Sequence, residues 1–301
     1  MGVDWVRMRP RPGTDPAELA HAVRAEAAEF AASGHWIAEE FDHLPAARHA
    51  DPHAGERAGE RRPRVAALVD ADTRPGAVHR IVSLALTPLL PAEWRFAAHR
   101  THLPHELPAR AAAWRAHIDQ VRTGAHRPYL RAWHAYGTAR RLADDWETLR
   151  ALALAARERG NAWARRPELV DVRERILAHP VPPVPPQPAW NGPPEPGAGL
   201  PDRPAAPVPS QPGTDGPPPP DTGLPPDTDL SPDGLLAGGA AAAGLAREWN
   251  RRVPAGQKVR VHAPRPFDVH LADALQDPGL ADTLDWATRA ADAGFGLLLD
   301  W

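Results

Sequence analysis

The chain has no cysteine, which removes disulfide frameworks, thiol nucleophiles and cysteine-based zinc sites together. Lysine is almost as scarce: Lys258 stands alone beside 34 arginines, a balance that, with abundant alanine and proline, fits the codon bias of a GC-rich bacterial genome. The excess of arginine is therefore no sign of a binding role in itself. No apolar run approaches the length needed to cross a bilayer, and the N-terminus alternates arginine with proline where a secretory signal would place an apolar core. These absences point to a soluble, cytoplasmic protein that does not engage a membrane.

Proline is what the chain has in excess. Between His179 and Pro232 lie 54 residues, of which 21 are proline and 6 glycine, a composition that neither a helix interior nor a central strand tolerates. We read residues 179–232 as a disordered linker, residues 1–178 as a helix-rich body, and residues 233–301 as a C-terminal helix and strand segment. The three carry net charges of +4, −5 and −2, so none has the basic balance that duplex binding needs, and no nucleic-acid partner is expected. The run VPPVPPQP at 181–188 contains overlapping P-x-x-P, which pre-forms a polyproline helix, although a spacer has the same composition.

Along the body, alternation predicts a strand at 3–8. Asp15 as N-cap, Pro16 and Glu18 open a helix that runs to Gly34. Residues 42–62 read as an exposed loop. RVAALV at 64–69 and VHRIVSLAL at 78–86 read as a hairpin around DADTRPG. Helices follow before Gly124, from Pro128 to Gly160 with Gly137 as a possible break, and from Pro167 to Ala178. Past the linker we expect helices at 235–249, 268–276 and 278–293, and strands at 259–262 and 295–301. The last contains Leu297, Leu298 and Leu299 in succession, the mark of a strand covered on both faces. Two strands are too few for a stable sheet, so we expect them to join the N-terminal strands in one mixed sheet. The fold class is α/β, with a helix-rich α+β alternative, flanked by helices and interrupted by the proline-rich insertion.

Few residues carry a chemical signal. Asp70 and Asp72 form a D-x-D pair that can present two carboxylates to magnesium, with Arg74 or Arg80 holding an anionic substrate. DADTRPG is equally an ordinary turn, because Asp bonds its own backbone, and the turn reading is favoured about fivefold. His99, His102 and His105 recur at intervals of three, suited to zinc if the segment curves, but Pro104 interrupts any helix there and an exposed loop is favoured about ninefold. There is no H-E-x-x-H, phosphate loop or dinucleotide fingerprint, and Gly238 and Gly239 lack the preceding strand and lysine of such loops. Eleven tryptophans are present: Trp114, Trp133 and Trp146 fall on apolar helix stripes, while Trp5, Trp36, Trp249 and Trp301 lack such an account, Trp5 and Trp301 being candidates to meet at one sheet edge. The expectation is a non-catalytic interaction or regulatory protein with a protein partner and no cofactor. The alternative is a metal-assisted hydrolase or transferase using Asp70 and Asp72 with magnesium.

Overall fold

The computed structural model describes residues 4–33, 63–81, 84, 87–97, 100–159, 162–193 and 231–300. The expected loop at 42–62, most of the proline-rich segment, Trp36, His99 and Trp301 lie outside them. The described chain divides into two units, residues 4–127, 190–193 and 273–300 forming the first and residues 128–189 and 231–272 the second. The boundaries of these units fall elsewhere than the sequence boundaries at 178 and 233. Residues 231–272 belong to the unit that begins at Pro128, and 273–300 to the unit that holds the N-terminus.

The first unit is organised around β1 (Asp4–Pro10). β1 pairs with β2 (Val69–Ala71) through Met8–Pro10, with β3 (Val78–Arg80) through Asp4–Val6, and with β4 (Gly296–Asp300) through Asp4–Met8. Because β4 shares its β1 partners with both β2 and β3, it must occupy one edge of β1 while β2 and β3 follow one another along the other. The C-terminal strand thus completes the N-terminal sheet, as the three leucines imply. Every pairing is antiparallel, which corrects the expected mixed sheet.

Trp5 and Met8 are fully buried, on opposite faces. Met8 and Leu298 pack with Leu19, Ala22 and Val23 of α1 (Pro16–Ser33) and with Val65 of α2 (Pro63–Leu68). Trp5 stacks on Trp114 of α4 (Leu107–Arg122), centroids 5.8 Å apart, beyond the short α3 (Ala92–Ala97). α4 is tied to α9 (Pro278–Asp292) by Arg115, which donates to Asp285 at 2.8 Å. α1 starts as its sequence dictates, with the Asp15 carboxylate accepting from Ala17 N–H at 2.9 Å.

Two sequence strands are shorter or absent. RVAALV is helical to Leu68, because Val65 and Val69, four apart, are the buried pair and the alanines between favour helix. The strand from Val78 ends at Arg80, and Leu84 N–H turns back to the Ile81 carbonyl.

The second unit is helical. α5 (Arg127–Arg159) runs unbroken through Gly137, α6 is Pro167–Ala178, α7 is Pro232–Asn250, and α8 (Phe267–Leu275) ends it. Its core joins Leu142, Trp146 and Leu149 of α5, Leu169, Val172 and Ile176 of α6, and Ala242, Ala246 and Trp249 of α7, with Val181 packed against it. Trp249 is accounted for: its indole N–H donates to the Gln257 carbonyl at 2.8 Å. Val259–His262 is not a strand, since side chains take the place of a ladder. Asn250 accepts from Val259 N–H at 2.9 Å and donates to its carbonyl at 2.7 Å, and Asp145 accepts from His262 N–H at 3.1 Å.

The Gly238–Gly239 pair has a packing role. A Cβ on Gly239 would lie 2.2 Å from the Pro264 ring, and one on Gly238 would lie 3.1 Å from Leu142, so glycine lets the 259–264 segment close on α7. Gly244, on the same helix, has no such neighbour. Gly239→Ala should therefore cost about 1–3 kcal/mol in urea unfolding, whereas Gly244→Ala should stabilise by about 0.5–1 kcal/mol through helix propensity. Equal effects would show that Pro264 does not press on the helix.

Candidate functional site

The D-x-D carboxylates sit where β2 leaves the sheet, each against a different arginine. Asp72 is almost wholly buried: Arg74 donates Nε at 2.8 Å, Nη2 at 2.9 Å and its backbone N–H at 3.1 Å, and Arg7 adds Nη2 at 3.1 Å. The Arg74 side-chain bonds lower the Asp72 carboxyl to about 2 against the cost of burial, helped by the Arg74 backbone N–H and the charges of Arg74 and Arg7. Asp70 is exposed and pairs with Arg11 at 3.1 Å. Arg7, Arg9 and Arg74 gather over the Phe295 ring at 5.3, 4.1 and 5.5 Å, and Arg9 donates to the Ala293 carbonyl at the end of α9 at 2.8 Å. Arg80 stands opposite Asp4, whereas Asp70 stands opposite Arg9, five residues along β1 and hence roughly 16 Å away by strand rise. The corner is a guanidinium-saturated turn, and a divalent cation there would have to displace Arg11 from Asp70 and both Arg74 and Arg7 from Asp72.

The histidine triplet is not brought together among the described residues. His99 lies outside them, and His105 is exposed. His102 is fully buried, edge-on to Trp5 at 5.2 Å and Trp114 at 5.5 Å, with no hydrogen-bond partner on either ring nitrogen among the described residues. Its backbone extends the sheet, donating to the Leu297 carbonyl at 2.7 Å and accepting from Leu297 N–H at 2.8 Å. Burial alone pushes its pKa down to about 3. Among the described residues no three His, Cys, Asp or Glu side chains are grouped so as to hold a metal ion, and no helix is long and apolar enough to cross a membrane.

A histidine–hydroxyl contact that the sequence does not announce lies between His79 and Thr283, at 2.9 Å. The Thr283 hydroxyl also lies 2.7 Å from the Gly279 carbonyl, and when its proton is directed there the His79 ring donates to it. That polarity is the reverse of what a nucleophile and base require. His79 also stacks on Trp286 at 5.2 Å, and burial lowers its pKa.

The second unit carries a cluster of exposed cations. From Arg247 to Arg265 there are six cations and one carboxylate, Glu248, which Arg175 engages. Arg247 and Arg251 lie one turn apart at the end of α7, and Lys258 and Arg260 alternate with Val259 and Val261 on the segment that Asn250 pins beside that turn. All four are exposed, and none makes an ion pair among the described residues. Proximity to a helix C-terminus lowers the cost of placing Arg247 and Arg251 there. Sequence reasoning missed this patch because its cations are separated by apolar residues and the aspartates that follow bring residues 233–301 as a whole to −2.

No protein-family model, curated protein or solved structure matches the chain.

Two pH responses follow. His102, whose pKa is about 3 when folded and near 6.5 when unfolded, binds its proton first in the unfolded chain. Its stabilising contribution is complete above pH 6.5 and falls as pH drops toward 3, by about 1.36 kcal/mol per unit. His117 and His134, each lowered to about 4 chiefly by burial, act in the same direction. Urea unfolding of the wild type should lose stability steadily below pH 6.5, and His102→Phe should flatten that slope; an unchanged slope would mean that water reaches the ring. Below pH 4 the Asp72 contribution, present above its ordinary 3.8, is lost as pH falls through about 2, and Asp72→Asn should remove that arm of the profile.

Proposed function

We propose that this protein is a non-catalytic interaction or regulatory module whose protein partner presents an acidic surface to Arg247, Arg251, Lys258 and Arg260. The observation that supports this reading is that four exposed cations, none ion-paired among the described residues, stand on a scaffold held by the Asn250 clamp and the Pro264–Gly239 contact. The backbone that carries the cations is fixed before binding, so only their side chains lose freedom on contact, and complementary charge speeds encounter and suppresses wrong partners. The carboxylates that would serve catalysis are each engaged by arginine, which supports binding over hydrolysis.

Fluorescein-labelled polyglutamate serves as the probe. The full chain should bind it at low salt and release it as ionic strength rises, and the variant R247E/R251E/K258E/R260E should lose binding roughly tenfold or more. Equal binding by the variant would place the contact elsewhere. Magnesium discriminates the metal-assisted hydrolase reading: thermal stabilisation by Mg²⁺ that vanishes in Asp70→Asn would favour that reading, and no response is expected here.

A further inference from the structure

In the first unit, Trp190 comes down on a small aromatic box. Trp94 of α3 is buried against His117 of α4, their rings tilted at 51° with centroids 4.9 Å apart. His126 stacks on His117 almost parallel, at 4.8 Å and 9°. The Trp190 indole meets all three edge to face, at 6.3 Å from Trp94, 5.4 Å from His117 and 5.0 Å from His126. Such pairs stabilise beyond their buried area, and edge-to-face contact selects a flat aromatic guest.

The box is built rather than incidental. Gly124 turns the chain at φ 92°, and His126 holds φ 59°, the one non-glycine residue in the left-handed region among the described residues. Histidine enters that region more readily than most side chains, and here it lets the chain turn tightly after α4 and bring the ring back onto the helix. Here the His126 ring is fixed from two sides: its Nε2 lies 3.1 Å from Gln120 Oε1, and its face lies on His117. His117 in turn donates Nε2–H to the Leu89 carbonyl at 3.1 Å, so burial keeps it neutral and available for stacking.

The guest is self-contained. The Trp190 indole N–H donates to the Pro193 carbonyl at 3.0 Å, closing the turn Trp190–Asn191–Gly192–Pro193, and a Cβ on Gly192 would lie 2.2 Å from the indole ring. With its polar atom satisfied inside the turn, the indole meets Trp94, His117 and His126 through ring contacts. It also remains half-buried, so solvent reaches it in the docked state.

We propose that the Trp94–His117–His126 box is a recognition site for a tryptophan carried on a proline-flanked turn, filled in cis by Trp190. The proline-rich run is then a tethered ligand and not only a spacer. Tethering raises the local concentration of the guest to the millimolar range, so a second peptide must outcompete it. The inference is independent of the cationic patch: either can fail while the other stands.

The test uses the full chain and a fluorescein-labelled peptide of residues 184–193, VPPQPAWNGP. Two variants empty the box by different routes: Trp190→Ala removes the guest, and Gly192→Ala drives a methyl into the indole while leaving every box residue in place. Anisotropy titration should show both variants binding the peptide roughly tenfold or more tighter than the wild type does. Adding His126→Ala to either should abolish that gain, and the peptide with tryptophan replaced by alanine should not bind. Binding by neither variant, equal binding by the wild type, or binding of the alanine peptide would each overturn the proposal and leave Trp190 as surface packing.

Discussion

The first unit depends on β1 having both of its edges occupied. Trp5 pairs with His79 on one side and with Leu299 on the other, so a strand of seven residues has its peptide groups satisfied by segments from far apart in the chain. Satisfied edges permit the burial that follows. Trp5 can be fully enclosed with Trp114 stacked on it and His102 edge-on, and Met8 can pack the opposite face, because no water is needed along the strand. The neutral His102 ring is the cost of that enclosure. Its nitrogens are stripped of water without replacement partners among the described residues, and that burial is why its basicity falls so far.

Much of this was legible in the sequence, and the reasons differ by element. Helices with caps and stripes declared themselves: Asp15–Pro16, the Ala111–Trp114–Ile118–Val121 row and the Asp277–Pro278 start all stand where spacing puts them. Leu297–Leu299 announced a covered strand, and the lack of local partners pointed correctly to the N-terminal sheet. RVAALV misled because short apolar runs suit both periods, and Val65 with Val69 fits a four-residue step as well as alternation. Val259–His262 has the pattern of a strand and the surroundings of none. Its backbone is served by Asn250 and Asp145, long-range partners with no local signature.

Site chemistry was less legible because it depends on who faces whom. Asp70 and Asp72 read as a carboxylate pair in the sequence, yet Arg11, Arg7 and Arg74 reach them through strand pairing and turn geometry that a two-residue motif does not encode. Likewise the linker's average composition conceals one residue of different character. Trp190 is the sole aromatic between His179 and Pro232, and its hosts, Trp94, His117 and His126, are spread over more than thirty positions of another part of the chain.

The pairing of β1 with β4 also sets the order of events on the ribosome. Trp5 and Leu299 are 294 positions apart, so at roughly 5–20 residues per second the first strand waits on the order of 15–60 s for the strand that closes its second edge. During that interval the α1 and α2 side can assemble on Met8 and Val65 from sequence already made, while the edge destined for β4 stays open. The nascent chain therefore carries β1 with one edge unpaired until residues 296–300 have been made, and the burial of Trp5 waits on that strand.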